Sequence, residues 1–307
     1  MTTTLDRIRT ITSTSHLSPD ALARAVWSIT AEPGDGNTGA LIAALGAHDA
    51  LQLVLEDDTP THGTIDVRTI RERLMPRSAE HSIESAFAQA ARIGATLLTP
   101  EHPHWPAGFN DLGDHAPHAL WVRGNTELLA HQPSTAVVGA RAATGYGEHV
   151  TMELTAGLVE RGHTIVSGAA YGIDGMAHRA ALASRGHTVA YLAGGVDRFY
   201  PSGHDALLAR IAEQGAVASE IGCGQAPTKW RFLQRNRLIA ASAQATLVVE
   251  AGWRSGSLNT AGHAVELGRP LGAVPGPVTS AASAGCHRLI REYDATLITT
   301  AEEAAAL

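Results

Sequence analysis

Cysteine is nearly absent from this chain of 307 residues. Cys223 and Cys286 are the only two, which excludes a disulfide framework and a four-cysteine zinc site, and no Cys-x-x-Cys pair occurs. Lysine is scarcer still: Lys229 is alone, and without a Gly-Lys-Ser/Thr triplet there is no P-loop. No stretch reaches the roughly 20 apolar residues that span a bilayer. The opening MTTTLDRIRTITSTSH lacks the apolar core of a secretion signal, so a cytoplasmic protein with no membrane partner is expected. Charged residues make up 17% and apolar ones 44%, the mixture of a chain that can bury a core rather than stay disordered. The length is about two domains' worth by the usual prior.

A formal net charge of -7 argues against indiscriminate binding to nucleic acid or anionic membrane. The charge is unevenly placed. Residues 1–133 hold 9 basic and 16 acidic side chains, whereas residues 134–307 hold 14 of each. Between Lys229 and Arg254, Lys229, Arg231, Arg235, Arg237 and Arg254 face only Glu250, a local net of +4.

The front segment predicts short helices over Pro19–Ile29 with Ser18 as N-cap, Thr38–Leu45 and Ala47–Leu55. The polar run Asp57–Gly63 predicts a linker, dividing the chain into a helical module, 1–63, and a larger domain, 64–307. A helix over Ala79–Ile93 and a short strand over Ala95–Thr99 follow. From Ser134 onward, valine-rich and isoleucine-rich runs alternate with helix-length amphipathic stretches. Strands are expected at Thr135–Val138, Thr164–Ser167, Val189–Leu192, Ala216–Ser219, Thr246–Glu250, Leu271–Val274 and Thr296–Ile298. Helices are expected between them: Tyr146–Arg161, Asp174–Arg185, Asp205–Gln214, Asn236–Ser242, Ser257–Leu267 and Gly285–Glu292. This alternation demands parallel strands with right-handed crossovers, an α/β doubly wound sheet whose ligands bind beyond the carboxyl ends of the strands.

Two glycine-rich loops follow the first two of these strands: Gly139-Ala-Arg141-Ala-Ala-Thr144-Gly145 and Ser167-Gly168-Ala-Ala-Tyr171-Gly172. Glycine permits close backbone approach and helix-terminal amides favour an anion, so each loop suits a phosphate; equally, the glycines serve a tight turn. Neither loop is G-x-G-x-x-G, so a nicotinamide cofactor is disfavoured and no cofactor is expected. The fifth strand leads into Ser255-Gly256-Ser257, whose hydroxyls suit phosphate contact or helix capping. Lys229-Trp230-Arg231-Phe232-Leu-Gln-Arg235-Asn236-Arg237 interleaves cations with aromatics, as a groove for unpaired nucleic acid does. The alternative puts Trp230 and Phe232 in the core and leaves a solvated arginine face. The 16 histidines show no ligand spacing, so no metal is expected. Asp174 and His178 stand at i and i+4, the spacing of an ordinary ion pair. Glu220 and Glu250, at strand ends, read as structural hydrogen-bonding groups, and no catalytic residue is assigned.

Taken in order, GARAATGYG, SGAAYGIDGMAH, GGVDRFYP, RFLQRNRLIA, VVEAGWRSGSLNTA, AVPGPV and AGCHRLI resemble the DprA/Smf family of DNA-processing proteins. The similarity covers Arg92–Leu307, and the front segment is similar to the actinobacterial branch. It implies a non-enzymatic protein that binds single-stranded DNA, protects incoming strands and loads RecA in natural transformation. It also implies an extended Rossmann domain behind a sterile-alpha-motif-like module, working as a homodimer. Matched to the family motifs, Arg141, Ser167, Gly168, Arg235, Asn236 and Arg237 belong to the DNA pocket. Lys229, Arg231 and Ser255 join them, and Gly139, Thr144 and Gly256 from the same loops complete the expected contact set. The chain departs from the pattern at Leu233, where many members have proline, at His287 and around Tyr293-Asp294-Ala295. It stops at Leu307, where many relatives continue into a winged helix, so none is expected within it. The alternative is a phosphoribohydrolase of the lysine-decarboxylase-like families, whose Pro-Gly-Gly-x-Gly-Thr-x-x-Glu signature is replaced here by SGSLNTAGHAVE.

Overall fold

The computed structural model describes residues 4–56 and 59–307. Four helices open the chain: α1 (Thr4–Ile11), α2 (Pro19–Thr30), α3 (Gly36–Leu45) and α4 (Ala47–Glu56). Ser18 caps α2, its hydroxyl accepting from the Ala21 amide at 3.1 Å with Pro19 at the first helical position, and Asp35 caps α3. Of the expected linker, Asp57 and Asp58 lie outside the described residues. Beyond them β1 (Thr61–His62) pairs antiparallel with β2 (Ile65–Asp66), and α5 (Val67–Leu74) and α6 (Glu80–Arg92) follow. Ile70 and Leu74 of α5 and Ile83 and Phe87 of α6 are buried in one cluster with Trp27, Leu41 and Leu51. Neither α1 nor α5 was expected. α1 buries only Leu5 and Ile8, too short a stripe to register as a period of 3.6.

The remaining chain builds a nine-stranded sheet. Its strands are β3 (Thr96–Leu98), β4 (Leu120–Gly124), β5 (Ser134–Val138), β6 (Thr164–Ser167), β7 (Thr188–Tyr191), β8 (Ala216–Ser219), β9 (Ala245–Val248), β10 (Leu271–Ala273) and β11 (Thr296–Leu297). They lie in the order β11-β10-β9-β5-β6-β7-β8-β4-β3. From β11 to β8 neighbours run parallel; β4 is antiparallel to both β8 and β3. The seven strands expected from Ser134 onward are all present, displaced by at most two residues at their ends. β4 was missed.

Helices cover both faces. α7 (Gly145–Glu160), α8 (Ile173–Ala183) and α9 (Asp205–Gln214) follow β5, β6 and β7, while α10 (Lys229–Ser242), α11 (Ser257–Glu266) and α12 (Ala284–Glu292) follow β8, β9 and β10. α13 (Ala301–Ala305) packs its Ala304 into the α7 side. Alternation along β5 divides the core: Val137 packs with Leu154, Leu158 and Ile173 on one face, and Ala136 and Val138 with Leu238 and Ile239 on the other. Burial on both sides explains why these strands read as continuous apolar runs. The helical module meets the sheet at β4, where Trp121 Nε1 donates to Ser28 Oγ at 2.9 Å and its ring meets Phe87 edge-on at 5.4 Å. No single helix among the described residues is long and apolar enough to cross a membrane.

Candidate nucleic-acid interface

Strand order reverses between β5 and β9: the chain runs outward from β5 through β6, β7 and β8, then returns to β9 on β5's other side. The loops leaving these two strands diverge there and open a crevice at their carboxyl ends. It holds about 630 Å³, with Gly139 and Arg141 on one wall, Ser255 and Gly256 on the other, and Phe232, Arg235 and Asn236 of α10 across it.

In each glycine-rich loop an amide placed to hold phosphate already donates to a carboxylate of the chain. Thr144 caps α7, and Glu250, only 2% exposed, fills the space in front of that helix. Its carboxylate accepts from Thr144 N at 2.8 Å and from Thr144 Oγ1 at 2.7 Å. A Cβ on Gly147 would run into that carboxylate. In the second loop the Gly168 amide donates to Asp174 Oδ2 at 3.2 Å, and Ser167 is fully buried with its hydroxyl on the Val137 carbonyl at 2.6 Å. Ser167 therefore reaches no ligand. Each helix-terminal anion site holds the chain's own carboxylate, which satisfies the same donors and dipole a phosphate would.

What remains open in the crevice is side chains rather than those amides. Arg141 is exposed, with its guanidinium 5.2 Å from the Phe232 ring centroid. Arg254 is exposed on the facing wall; it belongs to the basic stretch but not to the expected contact set. Between them α11 begins at Ser257 with no side-chain cap on its Gly256 N-cap, although Ser255 and Ser257 bond each other at 2.8 Å. The Ser257 amide donates to Ser255 Oγ at 3.4 Å, and the Leu258 and Asn259 amides donate to the Ser255 and Gly256 carbonyls at 3.2 and 3.1 Å, so the two guanidinium groups supply the charge that favours an anion here.

α10 was expected to begin at Asn236 and instead begins at Lys229, where Thr228 accepts from the Arg231 amide at 3.2 Å. The first two turns show no hydrophobic period because their buried positions carry arginine. The helix has two working faces. Phe232, Arg235, Asn236 and Ile239 line the crevice, while Arg231 and Arg237 turn toward the helical module and the loop before β4. Arg231 meets Glu32 through Nε at 3.2 Å and Nη2 at 3.1 Å, and Arg77 meets the same carboxylate at 2.8 Å. Arg237, 3% exposed, grips Glu220 through both terminal nitrogens at 2.6 and 2.7 Å and donates to the His115 carbonyl at 2.9 Å. Neither lines the crevice, which corrects the expectation that both contact a ligand. A buried guanidinium needs a carboxylate, and Glu32 and Glu220 are those partners.

Arg235 is intermediate. Its Nη1 donates to the carbonyls of Gly168 and Tyr191 at 2.6 and 2.7 Å, and burial pushes its pKa down to about 10 despite Asp174 nearby. A Cβ on Gly168 would collide with that guanidinium and push it off both carbonyls. Burial likewise raises the Asp174 carboxyl pKa, opposed by Arg235 and by backbone amides. The ion pair expected between Asp174 and His178 does not form: His178 Nδ1 bonds Thr188 Oγ1 at 2.7 Å. Asn236 Nδ2 donates to Asn259 Oδ1 at 3.1 Å, tying α10 to α11. Lys229 and Trp230 are exposed on the first turn of α10, outside the crevice. Phe232 lines it, with the Tyr200 ring at 5.5 Å. The aromatics are thus not in the core, whereas the arginines between them largely are.

Residues 96–307 match the family model described as DNA recombination-mediator protein A. The chain belongs to the DprA/Smf family. A DNA processing protein DprA of Mycobacterium tuberculosis is 46% identical over 298 residues, covering 94% of this chain and 75% of that one, and Protein Smf of Escherichia coli is 40% identical over 223 residues, covering 72% and 59%. The crystal structure of DprA from Streptococcus pneumoniae superposes with a TM-score of 0.76 at 30% identity, covering 94% of this chain and 98% of that one. A DprA structure from Helicobacter pylori, described for its single-stranded DNA binding mode, gives 0.62 at 30% identity over 69% and 94%. This DprA/Smf chain is accordingly a DNA-processing recombination mediator by family, built on the family's Rossmann-like sheet with a helical module in front.

Proposed function

We propose that the crevice between β5 and β9 binds single-stranded DNA. The exposed Arg141 and Arg254 flank the start of α11 and take consecutive phosphates, Ser255 and Gly256 approach the backbone between them, and Asn236 and Phe232 meet the bases. Gly139, Gly168 and Arg235 shape the floor, Thr144 fixes the first loop through Glu250, and Lys229 extends the cationic rim. The observation that carries this reading is the placement of two exposed guanidinium groups, neither in an ion pair among the described residues, across a crevice at the reversal of strand order. In the cell the protein would act without cofactor or turnover, protecting incoming strands as a homodimer and loading RecA. The division of the chain at Gly63 is likewise a proposal, tested by where limited proteolysis first cuts.

Arg141→Ala, at an exposed position, should leave the urea midpoint unchanged. Loss of one charge-assisted contact, about 1.5 to 3 kcal/mol, weakens oligothymidylate binding at least about tenfold. It also lowers the slope of log affinity against log salt by about 0.7. Fluorescence anisotropy at several salt concentrations reads both, and failure of the unaltered protein to bind at low salt overturns the reading. RecA filament growth on strands coated with a competing binding protein tests the loading step.

A further inference from the structure

The indole of Trp253 is 53% exposed, yet its backbone is held firmly. Trp253 sits between Gly252 and Arg254, both of which line the crevice. The Gly252 carbonyl accepts from Ser255 N at 3.0 Å, and the Ala251 carbonyl accepts from Gly285 N at 2.7 Å, pinning the loop to the start of α12. A Cβ on Gly285 would crowd the carbonyls of Ala251 and Gly252, so the two segments are in close contact.

One turn into α12, Arg288 places its guanidinium 5.1 Å from the Trp253 ring centroid and 5.4 Å from that of Tyr293. Glu292 holds Arg288 Nε at 2.8 Å, and Nη2 donates to the Tyr293 hydroxyl at 3.2 Å. The result is a ladder of indole, guanidinium and phenol, fixed in place and open to solvent beside Arg254. Within the crevice, Phe232 packs against Tyr200, Arg141 and Arg235 and faces a base inside it, while Trp253 is the exposed ring just outside its rim. Exposed indole is expensive to leave in water, and a cation on one side of the ring leaves a π surface whose partners are flat and polarizable.

We propose that Trp253, backed by Arg288, is a stacking platform for an unpaired nucleobase of the strand as it leaves the crevice past Arg254. The inference rests on the single-stranded DNA reading above and extends the strand's path from the crevice onto the face of α12. Arg254 takes the phosphate at the rim, and the next base turns onto the indole. Arg288 is a positioning residue: it fixes the ring's orientation through Glu292 and Tyr293. Because every base has a π face, the platform is indifferent to sequence.

The test compares a short oligothymidylate of about four nucleotides with one of about sixteen, the two ends of the usual site-size range. Trp253→Ala should weaken binding of the long strand at least about fivefold, the low end of what one stacked base contributes, and leave the short strand within about twofold. Trp253→Phe keeps the ring and should bind both strands nearly as the unaltered protein does, while losing the part of the tryptophan fluorescence quench that the long strand alone produces. Arg288→Gln should fall between them. Equal loss for both lengths, or equal affinity and quench in Trp253→Ala, overturns the platform while the crevice reading stands. Failure of the unaltered protein to bind either strand overturns both. A change of sedimentation mass in Trp253→Ala with DNA affinity intact assigns the indole to contact with a second copy and also overturns the proposal.

Discussion

Arg237 and Glu220 form the most enclosed ion pair of the site region, 3% and 7% exposed. Each is retained by the other, because a lone charge in that position has no water to replace its partner. Arg237→Ala should therefore cost about 3 to 5 kcal/mol of stability, read as a fall in the urea midpoint. Replacing both residues with leucine should recover most of that loss, since two apolar side chains leave no charge stranded. Arg141 provides the contrast: exposed, stacked only on Phe232, and free to move toward a phosphate. The sequence motif groups these arginines as equals, but burial separates them into a structural pair and a ligand-facing cation.

At the scale of elements, α10 is gripped from behind and open in front. Glu32, on the turn after α2, receives both Arg231 and Arg77, and Gln225 Nε2 donates to the Ile29 carbonyl at 2.7 Å beside it. The front helices thereby set the position of a helix nearly 200 residues further along. Glu32→Ala should loosen the first turn of α10 and weaken oligothymidylate binding about three- to tenfold, the range of losing about 1 kcal/mol of helix-terminal order. The salt slope should stay as in the unaltered protein, because Glu32 touches no phosphate. Anisotropy across a salt series separates this from loss of a direct contact, and hydrogen exchange at residues 229–233 should quicken. Sequence periodicity places α7, α8, α9 and α11 to within two residues but starts α10 seven residues late. A helix whose inner face is arginine looks, in one dimension, like a solvated loop.

For the molecule as a whole, acid should act through two histidines that burial holds neutral, His118 and His178, each with its pKa pushed down to about 3; His178 is the clearer case. Its ring is fully buried, Nε2 has no hydrogen-bond partner among the described residues, and burial pushes its pKa down to about 3. In the unfolded chain the ring titrates near its ordinary value of about 6.5. Below that pH the unfolded state takes up a proton that the folded state refuses. Stability is thus whole above about 6.5 and falls as pH drops toward 3, by about 1.4 kcal/mol per pH unit from this one residue. Thermal midpoints between pH 7 and 5 should decline in the unaltered protein, and less steeply in His178→Gln.

The order of strands and helices from Ser134 onward is determined by local sequence, because alternation of apolar runs and amphipathic stretches constrains a chain to parallel strands with crossovers on both faces. The motifs from GARAATGYG to AGCHRLI also determine the family. Which residues of those motifs face a ligand is decided only in three dimensions. Glu250 and Asp174 occupy the anion sites that the glycine loops advertise, Glu32 and Glu220 neutralise two of the arginines, and Arg254 and Trp253 come to the rim through the packing of α12 against their loop. Each of these partners lies from six to about two hundred residues away along the chain. Charge compensation depends on distance in space, and a sequence motif records only distance along the backbone.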